Sequence, residues 1–348
     1  MKEFQKVTAA LGEIASRLVD KTCPATTLRP EILAMTEILS RATPHFSRRT
    51  EGIEQEEVRT PNGLAVSPTM AAMCADDYMR TIMFLRGLHD AVVERLKRIS
   101  GRPLRVLYAG CGPYATLAVP LMTLFPAEDV SFSLLDMNPV SIDSARSLVE
   151  TLGLDAHVSG FLTGDAATYI IPLQDRPDVV VAEVMQNCLR NEPQVAVARN
   201  LLRQTPDALM VPEEIGIELE LADMAPGFEA TPGNNGTERA RRERIPLGRV
   251  FTLDREHIAE WEGICDTELP AGTLSLPHID ACYKPMLFTT IRTFGDHMLR
   301  DYDSGLTIPV PLESVAIAEP GDTIRFRYLL GAEPHLGGDR VGQNETAA

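Results

Sequence analysis

Leu104-Arg-Val-Leu-Tyr-Ala-Gly110-Cys-Gly112-Pro113-Tyr-Ala115 decides the fold. An apolar run of strand length breaks at two glycines one residue apart, and the spacing predicts a helix over Thr116 to Leu124. Glycines at such a break let the backbone come close to a ligand, and the helix start behind them offers free N–H groups. Downstream the alternation repeats. An apolar strand, Val130 to Leu135, ends in Asp136, and a helix over Pro139 to Leu152 leads to a strand, His157 to Leu162, then to Gly164-Asp165. Strands alternating with helices predict a doubly wound, Rossmann-like α/β domain with its ligand at the carboxyl edge of the sheet. Asp136, at the tip of the second strand, is placed to accept hydrogen bonds from both ribose hydroxyls of a nucleoside.

The fourth strand opens PDVVVAEVMQNCLRNE, residues 177–192. Asp178 to Ala182 is apolar enough to be buried on both faces of a parallel sheet. Glu183 follows at its carboxyl end and Glu192 comes nine positions later. On one continuous helix, nine steps of about 100° would leave these acids on opposite faces. They converge only if the chain turns, which Gln186-Asn187, Asn191 and Pro193 allow. Two carboxylates on one small site repel unless a cation lies between them, and a planar guanidinium with five donors suits that place. The plainer alternative leaves Glu183 ending a strand and Glu192 solvated at a helix start.

A chain of 348 residues with 44% hydrophobic content can bury the cores of two or three domains. Its formal charge of −16 argues against a nucleic-acid or anionic-membrane partner and suits a cationic substrate. The six cysteines form no C-x-x-C pair and no cluster with histidine, so reduced thiols and no metal site are expected. The start lacks the apolar core of a secretory signal, and no run is long enough to cross a bilayer; a cytoplasmic protein is expected. The predicted organisation is a helical region over 1–100, the Rossmann-like domain over 101–212, a β-rich domain over 213–335 and a disordered tail over 336–348. Two helices are read over residues 4–40 and one long helix over Met70 to Ile99. Short alternating strands are read at Ile215 to Leu221, Met286 to Thr293 and Ile324 to Leu330.

Val-Leu-Tyr-Ala-Gly110-Cys-Gly112-Pro resembles motif I of the class I methyltransferases that use S-adenosylmethionine (SAM), with Tyr114 where many members keep a third glycine. Three further stretches, in order, resemble the protein arginine methyltransferase family: Glu57-Val-Arg59-Thr60, Glu183-Val-Met185 with Glu192, and Pro311-Leu-Glu-Ser-Val-Ala-Ile-Ala-Glu-Pro-Gly-Asp-Thr-Ile-Arg-Phe326. Leu209-Met-Val-Pro212 resembles that family's crossing into its β-barrel. The resemblance spans roughly residues 50 to 332. It implies that Arg59 holds the SAM carboxylate, Gly110 and Gly112 border its methionine part, Asp136 takes the ribose, and Asp165 with Ala166 lies at the adenine. Glu183 and Glu192 would clamp the guanidinium, and a homodimer would be the working form.

The departures concern the acceptor side. The family's tyrosine-rich motif has no counterpart, since the first tyrosine is Tyr78. Val184 stands in place of a tryptophan, and Asp303-Ser304-Gly305 replaces a Thr-His-Trp loop that borders the substrate. These changes point to a small guanidino acceptor, free arginine being the simplest, rather than an arginine-containing peptide. A SAM-dependent enzyme for another amine or hydroxyl, a protein arginine methyltransferase, and a scaffold without catalysis stay open. So does a nicotinamide dehydrogenase. Pro226 to Arg244 reads as an arm or a solvated loop, and His278 and His297 as the histidines of the second domain that could act as bases, with a structural role favoured.

Overall fold

The computed structural model describes residues 2–43, 46, 57–223, 244–264, 267–277, 283–312 and 321–341. Two helices, α1 (Lys2–Val19) and α2 (Arg29–Ala42), open the chain. Pro30 lies in the first turn of α2, where its missing N–H costs nothing, and Arg41 closes its last turn, where a cation suits the helix dipole. The open end of α1 is satisfied from a distance. The buried Arg86 guanidinium donates to the carbonyls of Leu18, Asp20 and Cys23 at 2.7–2.8 Å.

A short hairpin, β1 (Val58–Thr60) and β2 (Gly63–Ala65), precedes two more helices, α3 (Pro68–Cys74) and α4 (Tyr78–Leu96). The one long helix expected from Met70 onward is therefore broken. Asp77 leaves the helical conformation at ψ 88° and accepts the N–H of Arg80, so a new N-cap is inserted mid-run. From Thr81 to Leu88, α4 is buried on all sides, with Phe84 fully enclosed, worth about 1.5–3 kcal/mol for such a side chain.

The Rossmann-like domain holds β3 (Leu104–Ala109), α5 (Val119–Met122), β4 (Val130–Asp136), α6 (Pro139–Leu152), β5 (Val158–Thr163), β6 (Val179–Ala182), α7 (Gln194–Gln204) and β7 (Leu209–Val211). Its sheet runs β5-β4-β3-β6-β7, all parallel, so the order reverses between β3 and β6. That reversal opens a crevice at the carboxyl ends. All four residues of β6 are buried, as its apolar run requires. The helix predicted over Thr116 to Leu124 shrinks to α5, because tight turns occupy the residues before it. The ends of α6 follow from its residues: Asn138 caps it through the N–H of Val140, and Gly153 ends it at φ 66°.

Beyond Pro212 the chain is mostly antiparallel. One sheet contains β8 (Glu214–Asp223), β9 (Arg244–Asp254), β11 (Tyr283–Phe294), β12 (His297–Leu299) and β13 (Val310–Pro311). A second has β10 (Glu268–Ser275), β14 (Thr323–Leu329) and β15 (His335–Arg340). The helix α8 (Arg255–Glu260) precedes Trp261, which stacks on Phe251 with ring centres 5.5 Å apart; Phe251 in turn stacks on Tyr328 at 4.9 Å. This aromatic column joins the two sheets. β15 occupies residues read from the sequence as unordered tail. Its register against β14 places Gly337 and Gly338 opposite Arg327 and Phe326, where the lack of side chains admits Leu329 and the Phe326 ring. Residues 226–243, His278 and the middle of the hairpin read at Pro311 to Phe326, residues 313–320, lie outside the described residues. Among the described residues no helix is long and apolar enough to cross a membrane, and no cluster of His, Cys, Asp and Glu is arranged to hold a metal.

Candidate active site

A cavity of about 360 Å³ lies at the crevice between β3 and β6. Its floor is the turn after β3. Gly110 and Gly112 adopt φ 74° and 64°, and a Cβ on Gly110 would collide with Cγ1 of Val184. The N–H of Gly112 donates to Asp136 at 2.9 Å, and the other oxygen of that carboxylate accepts the N–H of Asn138 at 2.8 Å. Asp136 is thus aimed into the crevice from the tip of β4, and burial pushes its carboxyl above the usual range. Asp165 also lines the cavity, accepting the N–H of Ala167 at 2.8 Å and the Asn62 amide at 3.3 Å, with Ala166 beside it. Glycine turn, Asp136, Asp165 and Ala166 come together as the sequence suggests.

The opposite wall is the segment from Glu183 to Glu192, and it does turn. Cys188, Leu189 and Asn191 all take left-handed φ angles of 54–62°, costing on the order of 1–3 kcal/mol each. Contacts from three directions hold them there. The Cys188 N–H donates to the Thr289 hydroxyl at 2.9 Å, and the Tyr328 hydroxyl donates to the Leu189 carbonyl at 2.7 Å. The N–H of Asn191 reaches the Pro334 carbonyl at 2.8 Å, while its own carbonyl accepts the Leu64 N–H at 2.7 Å. Gly63 makes the last approach possible: a Cβ there would stand 2.8 Å from that carbonyl. From within the domain, Gln194 receives the Val184 N–H at 3.0 Å and donates to the Ala182 carbonyl at 3.0 Å. Both glutamates consequently face the same cavity.

Their surroundings set their charge. Glu183 and Arg80 form an ion pair through Oε2 and a guanidinium nitrogen, with side-chain exposures of 10% and 14%. The second oxygen, Oε1, is buried with no hydrogen-bond partner. Burial raises the proton affinity of Glu183 and Arg80 opposes that rise; Arg80 itself is held firmly in its charged form by Glu183. Glu192 is pushed up to about 8 by burial first and by the charge of Glu183 second. A buried acceptor without a donor, next to an acid that holds its proton, leaves this wall able to accept N–H groups.

Arg59 does not line the cavity. Its side chain is 69% exposed and lies 3.8 Å from Glu333, outside the cavity, because β1 turns it to the solvent face while Thr60 points inward. Among the described residues, Arg80 is the arginine that lines the cavity. The signal in the sequence is weak: Arg-Thr occurs at residues 49, 59, 80 and 292, and the third copy, Arg80-Thr81, lies in the first turn of a helix capped by Asp77. His297 is no base either. It is 8% exposed and bonds Asp90 of α4 through Nε2 at 2.9 Å, outside the cavity. Leu306 and Gly305 line the cavity from the replaced loop, and the N–H of Gly305 donates to Asp77 at 2.8 Å.

No protein-family model matches the chain, and no curated protein sequence matches it. Among solved structures it is similar to the Trypanosoma brucei PRMT1 enzyme–prozyme heterotetrameric complex with AdoHcy. The identity is 16%, the overlap covers 78% of this chain and 93% of that one, and the TM-score is 0.48. At that distance the likeness carries no weight, and what the cavity does is read from its own residues.

Proposed function

We propose that the protein transfers a methyl group from SAM to a guanidino nitrogen of a small acceptor, free arginine being the simplest amino-acid example. The observation that carries this reading is the buried, unpartnered Oε1 of Glu183 facing the same cavity as Glu192.

The donor half fits SAM. Asp136 keeps lone pairs beyond its two backbone bonds for ribose hydroxyls, and the positive-φ glycines leave room for a methionine chain. Asp165 and Ala166 stand where an adenine edge would lie, and Arg80 has donors beyond the one given to Glu183 for a carboxylate. When bound, SAM supplies an electrophilic methyl on a sulfonium. Everything else falls to the protein. A guanidinium nitrogen is a poor nucleophile because its lone pair is delocalised. Glu183 and Glu192 hold the group in one plane, point one nitrogen at the methyl and draw positive charge to the other two. Glu192 ionises as the cation docks and is placed to take the proton that the methylated nitrogen releases.

The test is incubation with labelled SAM and a panel of guanidines and plain amines. Label in a guanidine, lost in Glu183→Gln with S-adenosylhomocysteine binding kept, supports the reading; label only in amines or hydroxyl compounds overturns it. The family resemblance also implies a homodimer, and the scattered cysteines point to the cytoplasm; light scattering and cell fractionation check these.

A further inference from the structure

The walls of the cavity are unbalanced in charge. Among the described residues five carboxylates line it, Glu57, Asp136, Asp165, Glu183 and Glu192, against one cationic side chain, Arg80. Asp136 and Asp165 are engaged by backbone amides on the side assigned above to the donor. Three acids therefore remain for the acceptor. Glu57 is the one the guanidine reading leaves unused. It stands immediately before β1, it is held by no hydrogen bond or ion pair among the described residues, and its charge is near enough to oppose ionisation of Glu192. The Glu183 carboxylate, nine-tenths buried with Oε1 unpartnered, independently marks this half of the cavity as a ligand site.

Counting charge decides what enters. Arg80 offsets Glu183, and one guanidinium offsets Glu192, so among the described residues no cation is left for Glu57. An acceptor with a carboxylate would add a second negative charge, with Arg80 the one cationic side chain among the described residues to meet it. We infer that the preferred acceptor is a small guanidine bearing a second, amine cation and no carboxylate, an aminoalkylguanidine, with Glu57 as the residue that reads the amine. This rests on the guanidine reading above and narrows it: free arginine is then the poorer acceptor, because its carboxylate faces three acids.

The experiment compares 4-aminobutylguanidine, butylguanidine and arginine, by calorimetry with S-adenosylhomocysteine in place and by methyl-transfer rate. The amine compound is expected to bind about tenfold more tightly than butylguanidine, the worth of one charged hydrogen bond, and arginine most weakly. Glu57→Gln should shrink the gap between the first two. Butylguanidine or arginine binding as well as the amine, or Glu57→Gln weakening all three equally, overturns the inference. Ordered binding without methylation of any of the three sinks the proposed activity and leaves recognition of two cations standing; no binding by any of them removes both.

Discussion

Asp77 accepts the N–H of Gly305 at 2.8 Å with one carboxylate oxygen and the N–H of Arg80 at 3.3 Å with the other. One side chain thus starts the helix that carries the buried cation and fixes the loop that walls the cavity. Asp77→Ala removes both bonds and should cost about 1 kcal/mol of stability through the lost cap. Its larger effect should be a raised KM for the acceptor, with Asp77→Asn, which keeps an acceptor oxygen, recovering part of it. Steady-state kinetics on the two variants separate this from a purely structural role, in which KM would not move.

Arg80 and Arg59 should behave oppositely. Removing Arg80 strands a buried Glu183 charge, so Arg80→Leu is expected to lose about 3–5 kcal/mol, or to leave Glu183 protonated, and to abolish donor binding. Arg59→Ala touches an exposed pair and should stay within about 0.5 kcal/mol of the parent. Urea unfolding and S-adenosylhomocysteine titration of both variants check this.

Glu183→Gln is nearly isosteric and keeps an acceptor for Arg80. Donor affinity should survive while turnover falls by about 10²–10³, the scale seen when one preorganised electrostatic contact is lost. Single-turnover rates with saturating donor give the comparison.

Glu192 carries a pH signature. Its acid group titrates near 8 in the folded protein and near 4.5 when exposed, so between those values the folded state binds the extra proton. Stability of the unliganded protein should therefore be full below pH 4.5 as far as this group is concerned and decline as pH rises towards 8, at about 1.4 kcal/mol per pH unit at most. Glu192→Gln should flatten that decline. Docking of a guanidinium should release a proton below pH 8, visible as a buffer-dependent binding enthalpy.

Gly110→Ala combines a forbidden φ of 74° with a clash against Val184. Donor binding should fall sharply, and adding Val184→Ala should restore only the part due to the clash. Calorimetric titration of single and double variants reads the split.

The parallel sheet was legible because β3, β4 and β6 are apolar runs broken by glycine or acid, a pattern fixed by burial on both faces. The convergence of Glu183 and Glu192 was not legible from their spacing, which sets them apart on a helix and left a solvated Glu192 open; turn residues between them allowed it and the family resemblance implied it. What hid was decided by partners distant in sequence. Asp77 splits an apparently continuous helix because its carboxylate also serves Gly305, 228 residues on. Arg59 and Arg80 sit in the same dipeptide, and only the pairing of β1 with β2 turns the first outward. The glycines of β15 look like tail composition, and become strand residues through the rings and methyls of β14 that need their space.

The bend carrying Glu192 is tethered to Leu64, Thr289, Tyr328 and Pro334. A nascent chain that has released only its first 212 residues has the crevice and the Leu64 tether but not the other three. Synthesis must pass residue 334 before all four can hold the two acids in mutual register, so a truncation ahead of Pro334 should loosen the bend at a distance from any residue it removes.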